Sequence, residues 1–202
     1  LTRLNHVDKP DCSIKLPTAT INRSRKFLSN EGLDLSKPFL CLCPGSVNSD
    51  AKRWPAEYFA ALADILCKRF GFQIVFLGAI QERSLVDSII SQMKTGPAFN
   101  FAAKSDIIMS LGIMNLSSLV ISNDTGSAHL GVASGAKCLT IFGPTIAGAT
   151  APFGERTFIV QGKADCAPCN DHHCKREGHS CMRGLVPQIV AKRASEILTS
   201  HP

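Results

Sequence analysis

From Phe39 onward the chain alternates short apolar runs with stretches whose apolar residues recur every three or four positions. The run Phe39 to Cys43 has no polar residue and is short enough for a strand buried on both faces. Pro55 then opens a helix in which Phe59, Leu62, Ala63 and Leu66 share one face, and Gly71 stops it. The same reading predicts strand Gln73 to Leu77, helix Gln81 to Met93, a short strand near Ala98 to Phe101 and helix Ile107 to Asn115. Strand Leu119 to Ser122, a helix after Thr125 and strand Lys137 to Phe142 complete the alternation. Such a series implies an α/β fold, a doubly wound parallel sheet with helices on both faces. Beyond Phe142 come a possible strand Thr157 to Val160, a Cys-rich stretch and an amphipathic helix around Pro187 to Leu198. Before Phe39 the chain is polar and Pro-punctuated, with a helical candidate from Asn22 to Asn30 that ends near Gly32. Residues 1–38 therefore read as a linker or the edge of something larger.

In parallel sheets ligands sit beyond the carboxyl ends of the strands, and four polar loops fall there: residues 44–52, 78–83, 123–129 and 143–145. The most telling is Asn123-Asp124-Thr125-Gly126-Ser127-Ala128-His129-Leu130, directly after an apolar run. It reads as a strand, a turn and a helix start, where unpaired N–H groups and the positive end of the macrodipole hold a phosphate. His129 falls one helical turn after Thr125 and Gly126, on the same face. The alternative is a structural turn in which Asp124 is only an N-cap. Ala51-Lys52-Arg53-Trp54-Pro55 sets two cations before a helix start, and Lys52 suits a phosphate or a leaving diphosphate, with Ser46 adding a hydrogen bond. A solvated basic turn is the competing reading. Glu82 stands where it can accept from a ribose or sugar hydroxyl, or simply favour a helix dipole. No Gly-x-Gly-x-x-Gly follows a strand, and the Gly45 loop lacks the Gly-Lys-Ser/Thr ending of a P-loop, which disfavours dinucleotide oxidoreductases and P-loop NTPases.

Composition narrows the class. With 202 residues, 45% hydrophobic and 19% charged, the chain suits one large domain with a real core. Its apolar runs are too short to cross a bilayer. A net charge of +6 favours anionic partners, but the cations are scattered and Tyr and Trp occur once each, so a nucleic-acid binder is not indicated. The start at Leu1 without Met or a leader suggests processing or truncation. Nine cysteines without a leader point to a reducing compartment, the cytosol by default. Cys166, Cys169, Cys174 and Cys181, with His172, His173 and His179 among them, offer tetrahedral zinc ligands on paper. Their spacing of two, four and six intervening residues matches no paired knuckle, and a reduced Cys-rich loop is the alternative.

Taken together, Pro44-Gly45-Ser46, Ala51-Lys52-Arg53-Trp54-Pro55, Asn123 to Leu130 and Phe142-Gly143-Pro144-Thr145 resemble the ADP-heptose:lipopolysaccharide heptosyltransferases of glycosyltransferase family 9. The run Asp165 to Cys169 and Gly178 to Met182 looks like the tail of the heptosyltransferase II branch. The likeness covers nearly everything from about residue 39 onward. It implies a GT-B glycosyltransferase, two Rossmann-like domains facing across a cleft. Residues 39–202 would be the C-terminal, nucleotide-sugar-binding domain, with a Cys-rich loop at 165–182 and a closing helix. It also implies Ser46 and Lys52 near the diphosphate, Glu82 near the ribose or adenosine, and Asp124, Thr125, Gly126 and His129 around the diphosphate and heptose. Lys52 would be the residue acting on the leaving group. The family's activity is inverting transfer of L-glycero-D-manno-heptose from ADP-heptose to the lipopolysaccharide inner core, without cofactor or metal, at the cytoplasmic face of a Gram-negative inner membrane. Its proposed base is an Asp of the N-terminal domain, whose matching segment lies outside this sequence. Two departures stand out: Val47-Asn48-Ser49-Asp50 is less glycine-rich than the pattern, and Ser127-Ala128 replaces the usual Pro-Met.

Overall fold

The computed structural model describes residues 11–200. Six strands form one parallel sheet: β1 (Phe39–Cys43), β2 (Gln73–Phe76), β3 (Ala98–Asn100), β4 (Leu119–Asn123), β5 (Cys138–Phe142) and β6 (Thr157–Gln161). Their spatial order is β3-β2-β1-β4-β5-β6, so the winding reverses between β1 and β4. At such a reversal the loops leaving the two strands diverge to opposite faces and leave a crevice between them.

The helices α2 (Ala56–Phe70), α3 (Arg83–Gln92) and α8 (Pro187–Thr199) cover one face. On the other face lie α1 (Thr18–Asn30), α4 (Ile107–Leu116) and α5 (Gly126–Ala133). Period-two geometry sorts the first strand: Leu40 and Leu42 enter the core under α2 and α8, while Phe39, Cys41 and Cys43 enter the core under α1, α4 and α5. Because both faces are buried, the strand carries no polar alternation, which is why an unbroken apolar run was the right signal. Burial pushes the Cys138 thiol up to about 12 and makes it an inert core residue.

The predicted alternation holds, with boundaries within a few residues, and Trp54 plugs the core at the start of α2 with its Nε1–H on the Leu185 carbonyl at 2.8 Å. The difference lies upstream. The helix expected from Asn22 begins at Thr18, and the segment read as a linker contributes Leu28 and Leu33 to the core, with Phe27 edge-on to Phe101 at 5.1 Å. Its inner stripe was obscured because a serine sits in it: Ser24 is fully buried against Gly112 of α4. Three single turns were also not foreseen: residues 50–52, α6 (Ala147–Thr150) and α7 (Ser180–Arg183). No helix among the described residues is long and apolar enough to cross a membrane.

Candidate functional site

A cavity of about 540 Å³ opens at the carboxyl edge of the sheet, where the winding reverses, within the range of small-molecule sites. Ser46, Lys52, Glu82, Asp124, Thr125 and Gly126 all line it. The structure thus brings together six of the seven residues singled out in the sequence. His129, one turn into α5, is exposed and stands outside that lining.

The start of α5 is open. Thr125 occupies the N-cap position in an extended conformation but makes no side-chain cap bond, so the first amides of the helix lack the partner a cap would supply. Asp124, 5% exposed, does not turn onto those amides. Its Oδ2 takes the Lys52 ammonium at 2.8 Å and the Thr145 hydroxyl at 2.7 Å, with Thr150 Oγ1 at 3.4 Å. An ammonium has three N–H donors, and the pair with Asp124 uses one, so Lys52 can present the others to an anion. The carboxylate therefore aims Lys52 beside the helix start instead of neutralising that start. Of the two adjacent cations only Lys52 serves the cavity. Arg53 donates from Nε and Nη2 to the Ser46 carbonyl at 3.0 and 2.9 Å, which clamps the loop.

The turn after β1 is tied to β4 by Asn123, whose Nδ2 donates to the Pro44 carbonyl at 2.7 Å and whose Oδ1 accepts the Trp54 amide at 3.2 Å. That latch holds the Ser46 loop next to the α5 start, and its carrier, a fully buried Asn at a strand end, was quoted in the sequence motif without a role. Glu82 is 8% exposed and folds back so that Oε2 accepts the Ala79 amide at 2.8 Å. Its carboxylate lies over Gly45: a Cβ there would overlap Oε1, Cδ and Oε2. The Gly45 loop is glycine-bearing to let a carboxylate close over it, a close-approach role rather than a phosphate-cradling one.

The Cys-rich stretch crosses the edge from beyond β6, with the Asn170 amide on the Pro144 carbonyl at 2.8 Å. It lands on the loop after β1. Ser49 Oγ and the Ala51 amide donate to the His172 carbonyl at 3.0 and 3.2 Å. His172 Nδ1 lies 3.1 Å from the Asn48 carbonyl and His179 Nε2 lies 2.6 Å from that of Ala51. His173 Nδ1 meets Asp50 Oδ1 at 3.1 Å, and this contact, ahead of other causes, holds the Asp50 carboxyl below the usual range. All three histidines therefore fasten one loop to another. Burial pushes the Cys181 thiol up, and the nearby Cys166, Cys174 and Cys169 add to that. Among the described residues no three His, Cys, Asp or Glu side chains are grouped as a metal ion would need. His172 also lines the cavity, a placement the sequence could not reveal because its contact partner is more than a hundred positions away.

Comparison with known proteins gives the family and the fold. The profile of Glycosyltransferase family 9 (heptosyltransferase) matches residues 5–179. Lipooligosaccharide heptosyltransferase 2 of Campylobacter jejuni is 31% identical over 180 residues, 87% of this chain and 56% of that protein. Lipopolysaccharide heptosyltransferase 2 of Escherichia coli K12 is 22% identical, over 90% of this chain and 53% of its own length. The chain thus spans about half the length of the curated relatives it matches. Among solved structures, a family 9 glycosyltransferase of Veillonella parvula superposes with a TM-score of 0.79 at 25% identity, covering 92% of this chain and 53% of that one. Heptosyltransferase II of E. coli superposes at 0.78 with 18% identity and the same two shares, which speaks for the GT-B-type fold. With a doubly wound parallel sheet, an open helix start beside a paired lysine, and a family profile over most of its length, this chain belongs to glycosyltransferase family 9, the heptosyltransferases.

Proposed function

We propose that this chain is the donor-binding half of a heptosyltransferase, taking ADP-L-glycero-D-manno-heptose and, with the rest of the enzyme, passing the heptose to the lipopolysaccharide core with inversion. The observation that carries the reading is Lys52, held by Asp124 beside the uncapped start of α5. As the bond from heptose to diphosphate breaks, negative charge grows on the departing ADP. A preoriented ammonium and helix amides stabilise that charge more than the ground state, which lowers the barrier. Ser46, Thr125 and Gly126 would add hydrogen bonds to the diphosphate, and Glu82, on the far side of β1, would accept from the ribose. His129, exposed on α5, would meet the heptose from outside the cavity. A lipid-linked acceptor sets the work at the cytoplasmic face of the inner membrane, where a chain of net charge +6 is attracted to acidic headgroups.

Titration calorimetry with ADP, UDP and pyrophosphate tests the reading. ADP should bind, pyrophosphate should bind more weakly, and UDP should lose roughly tenfold or more because a pyrimidine fills the nucleoside end poorly. No ADP binding, or equal binding of ADP and UDP, overturns it.

A further inference from the structure

Given the donor reading above, on which it rests, we propose that Thr145 is a positioning residue for the diphosphate contact: its hydroxyl fixes the Asp124 carboxylate that aims Lys52. The Thr145 O–H donates to Asp124 Oδ2 at 2.7 Å, the same oxygen that takes the Lys52 ammonium at 2.8 Å. An ionised carboxylate only accepts, so two donors meet at one atom from different elements, the loop after β5 and the turn before α2. A lysine held by a carboxylate alone is a pivot between two rotatable side chains. A second charge-assisted bond to the same carboxylate takes that freedom away. Thr145 is 6% exposed and lies outside the lining of the cavity that Lys52 and Asp124 face, so its route to a diphosphate runs through them.

The hydroxyl is itself held in place. Gln161, at the end of β6, donates from Nε2 to the Gly143 carbonyl at 3.1 Å and lies 3.4 Å from that of Thr145. The Asn170 amide donates to the Pro144 carbonyl at 2.8 Å. Buried Met182 packs so close to Gly143 that a Cβ there would overlap its Sδ. β6, the Cys-rich stretch and α7 thus grip three consecutive residues, 143–145, and present Thr145 to Asp124 from a loop fixed on three sides. Thr150 differs: its Oγ1 lies 3.4 Å from the same Oδ2 and 3.4 Å from the Ile146 carbonyl, on a turn with no buried residue, which makes it a weak second donor. Lys52 is therefore oriented before a ligand arrives, and its long side chain is ordered on folding and not on binding.

The test measures ADP and adenosine binding by calorimetry. Thr145→Val keeps the size of the side chain and removes the donor, so ADP should weaken roughly three- to tenfold while adenosine stays within about twofold. Thr145→Ser keeps the hydroxyl and should bind ADP within about twofold of the parent. Thr145→Ala carries the same expectation as the Val variant and covers the case in which the latter fails to fold. In an Asp124→Ala background the hydroxyl has lost its acceptor, so Thr145→Val should there change ADP affinity by less than about twofold. A Val chain that binds ADP like the parent removes Thr145 from the site, and a Ser chain no better than Val shows that shape and not the hydroxyl matters. Equal loss of ADP and adenosine, or the same loss of ADP without Asp124, shows loop support in place of positioning. Each result overturns the inference while leaving the nucleotide reading intact. Failure of the unsubstituted chain to bind ADP would instead defeat that reading, and this inference with it.

Discussion

Two helix starts on the same face of the sheet differ in what the aspartate beside each one holds. At α4 the N-cap Asp106 does what a capping carboxylate ordinarily does: Oδ1 accepts the Met109 amide at 2.6 Å, and Oδ2 takes Arg23 at 3.1 Å. At α5 the aspartate sits one position earlier, before the cap, and spends its oxygen on Lys52 and Thr145 instead. The first helix start is closed by its own acid. The second is left with open amides and gains a lysine. Shifting the acid by one residue leaves the α5 start without a side-chain cap, because the carboxylate that could cap it holds Lys52 and Thr145.

The sharpest way to break that contrast is Lys52→Ala. It removes the ammonium and leaves the Asp124 carboxylate, 5% exposed, facing any incoming diphosphate. Charge-assisted hydrogen bonds contribute about 1.5–3 kcal/mol, so ADP affinity should fall roughly 10–100-fold while adenosine changes little. Calorimetry on both ligands separates the cases, and equal weakening would take Lys52 off the diphosphate. Asp124→Ala should instead strike both functions. It breaks a largely buried pair and strands the Thr145 hydroxyl, at a cost of about 2 kcal/mol, less than a fully buried pair because Lys52 remains 23% exposed. Chemical denaturation measures that loss, and an Asp124→Ala chain as stable as the parent would show that the pair is incidental.

A second break concerns Gly45. A methyl there meets the Glu82 carboxylate, which must leave the Ala79 amide and swing toward the cavity. Gly45→Ala should cost about 1–2 kcal/mol and weaken ADP severalfold. In a Glu82→Ala background the same substitution should be nearly neutral, since the group it displaces is gone. Additive effects in the double variant would mean that Gly45 is constrained by something other than Glu82.

These residues also mark what the sequence could and could not disclose. The sheet was legible because strands buried on both faces are unbroken apolar runs, and the edge loops were legible because parallel sheets put ligands at one end. Lys52 and Asp124 were each legible as candidates, 72 positions apart, but not as partners. No local pattern reports that an acid before a helix will reach sideways to a lysine and not forward to amides. Glu82 was found, whereas its hold on Gly45 needed three-dimensional proximity. The histidines of the Cys-rich stretch were read as possible metal ligands because composition shows residue types and not the carbonyls they meet. His129 shows the opposite limit: helical spacing predicts it on the face of Thr125 and Gly126, yet Leu130 and not His129 joins those two in lining the cavity.

The smallest expected effect lies at the closed start. The Asp106 carboxyl is held below its ordinary 3.8, chiefly by the Met109 amide and secondarily by Arg23. A carboxyl whose folded pKa is depressed stabilises the fold above the unfolded value and loses that contribution as pH falls through the lowered folded one. Asp106→Asn keeps a good cap, because an Asn oxygen also accepts the amide, yet removes the titration. Denaturation curves should therefore nearly coincide at neutral pH, while below about pH 5 the parent should lose stability more steeply than the variant. ADP affinity should stay within about twofold throughout, since the amide at this start is already satisfied from within. If acid stability were the same in both chains, the cap would not be a charged one. If the variant bound ADP markedly less well, the two helix starts would not divide stability and binding between them, and the separation drawn from their different acids would fail at the end where it was expected to be safest.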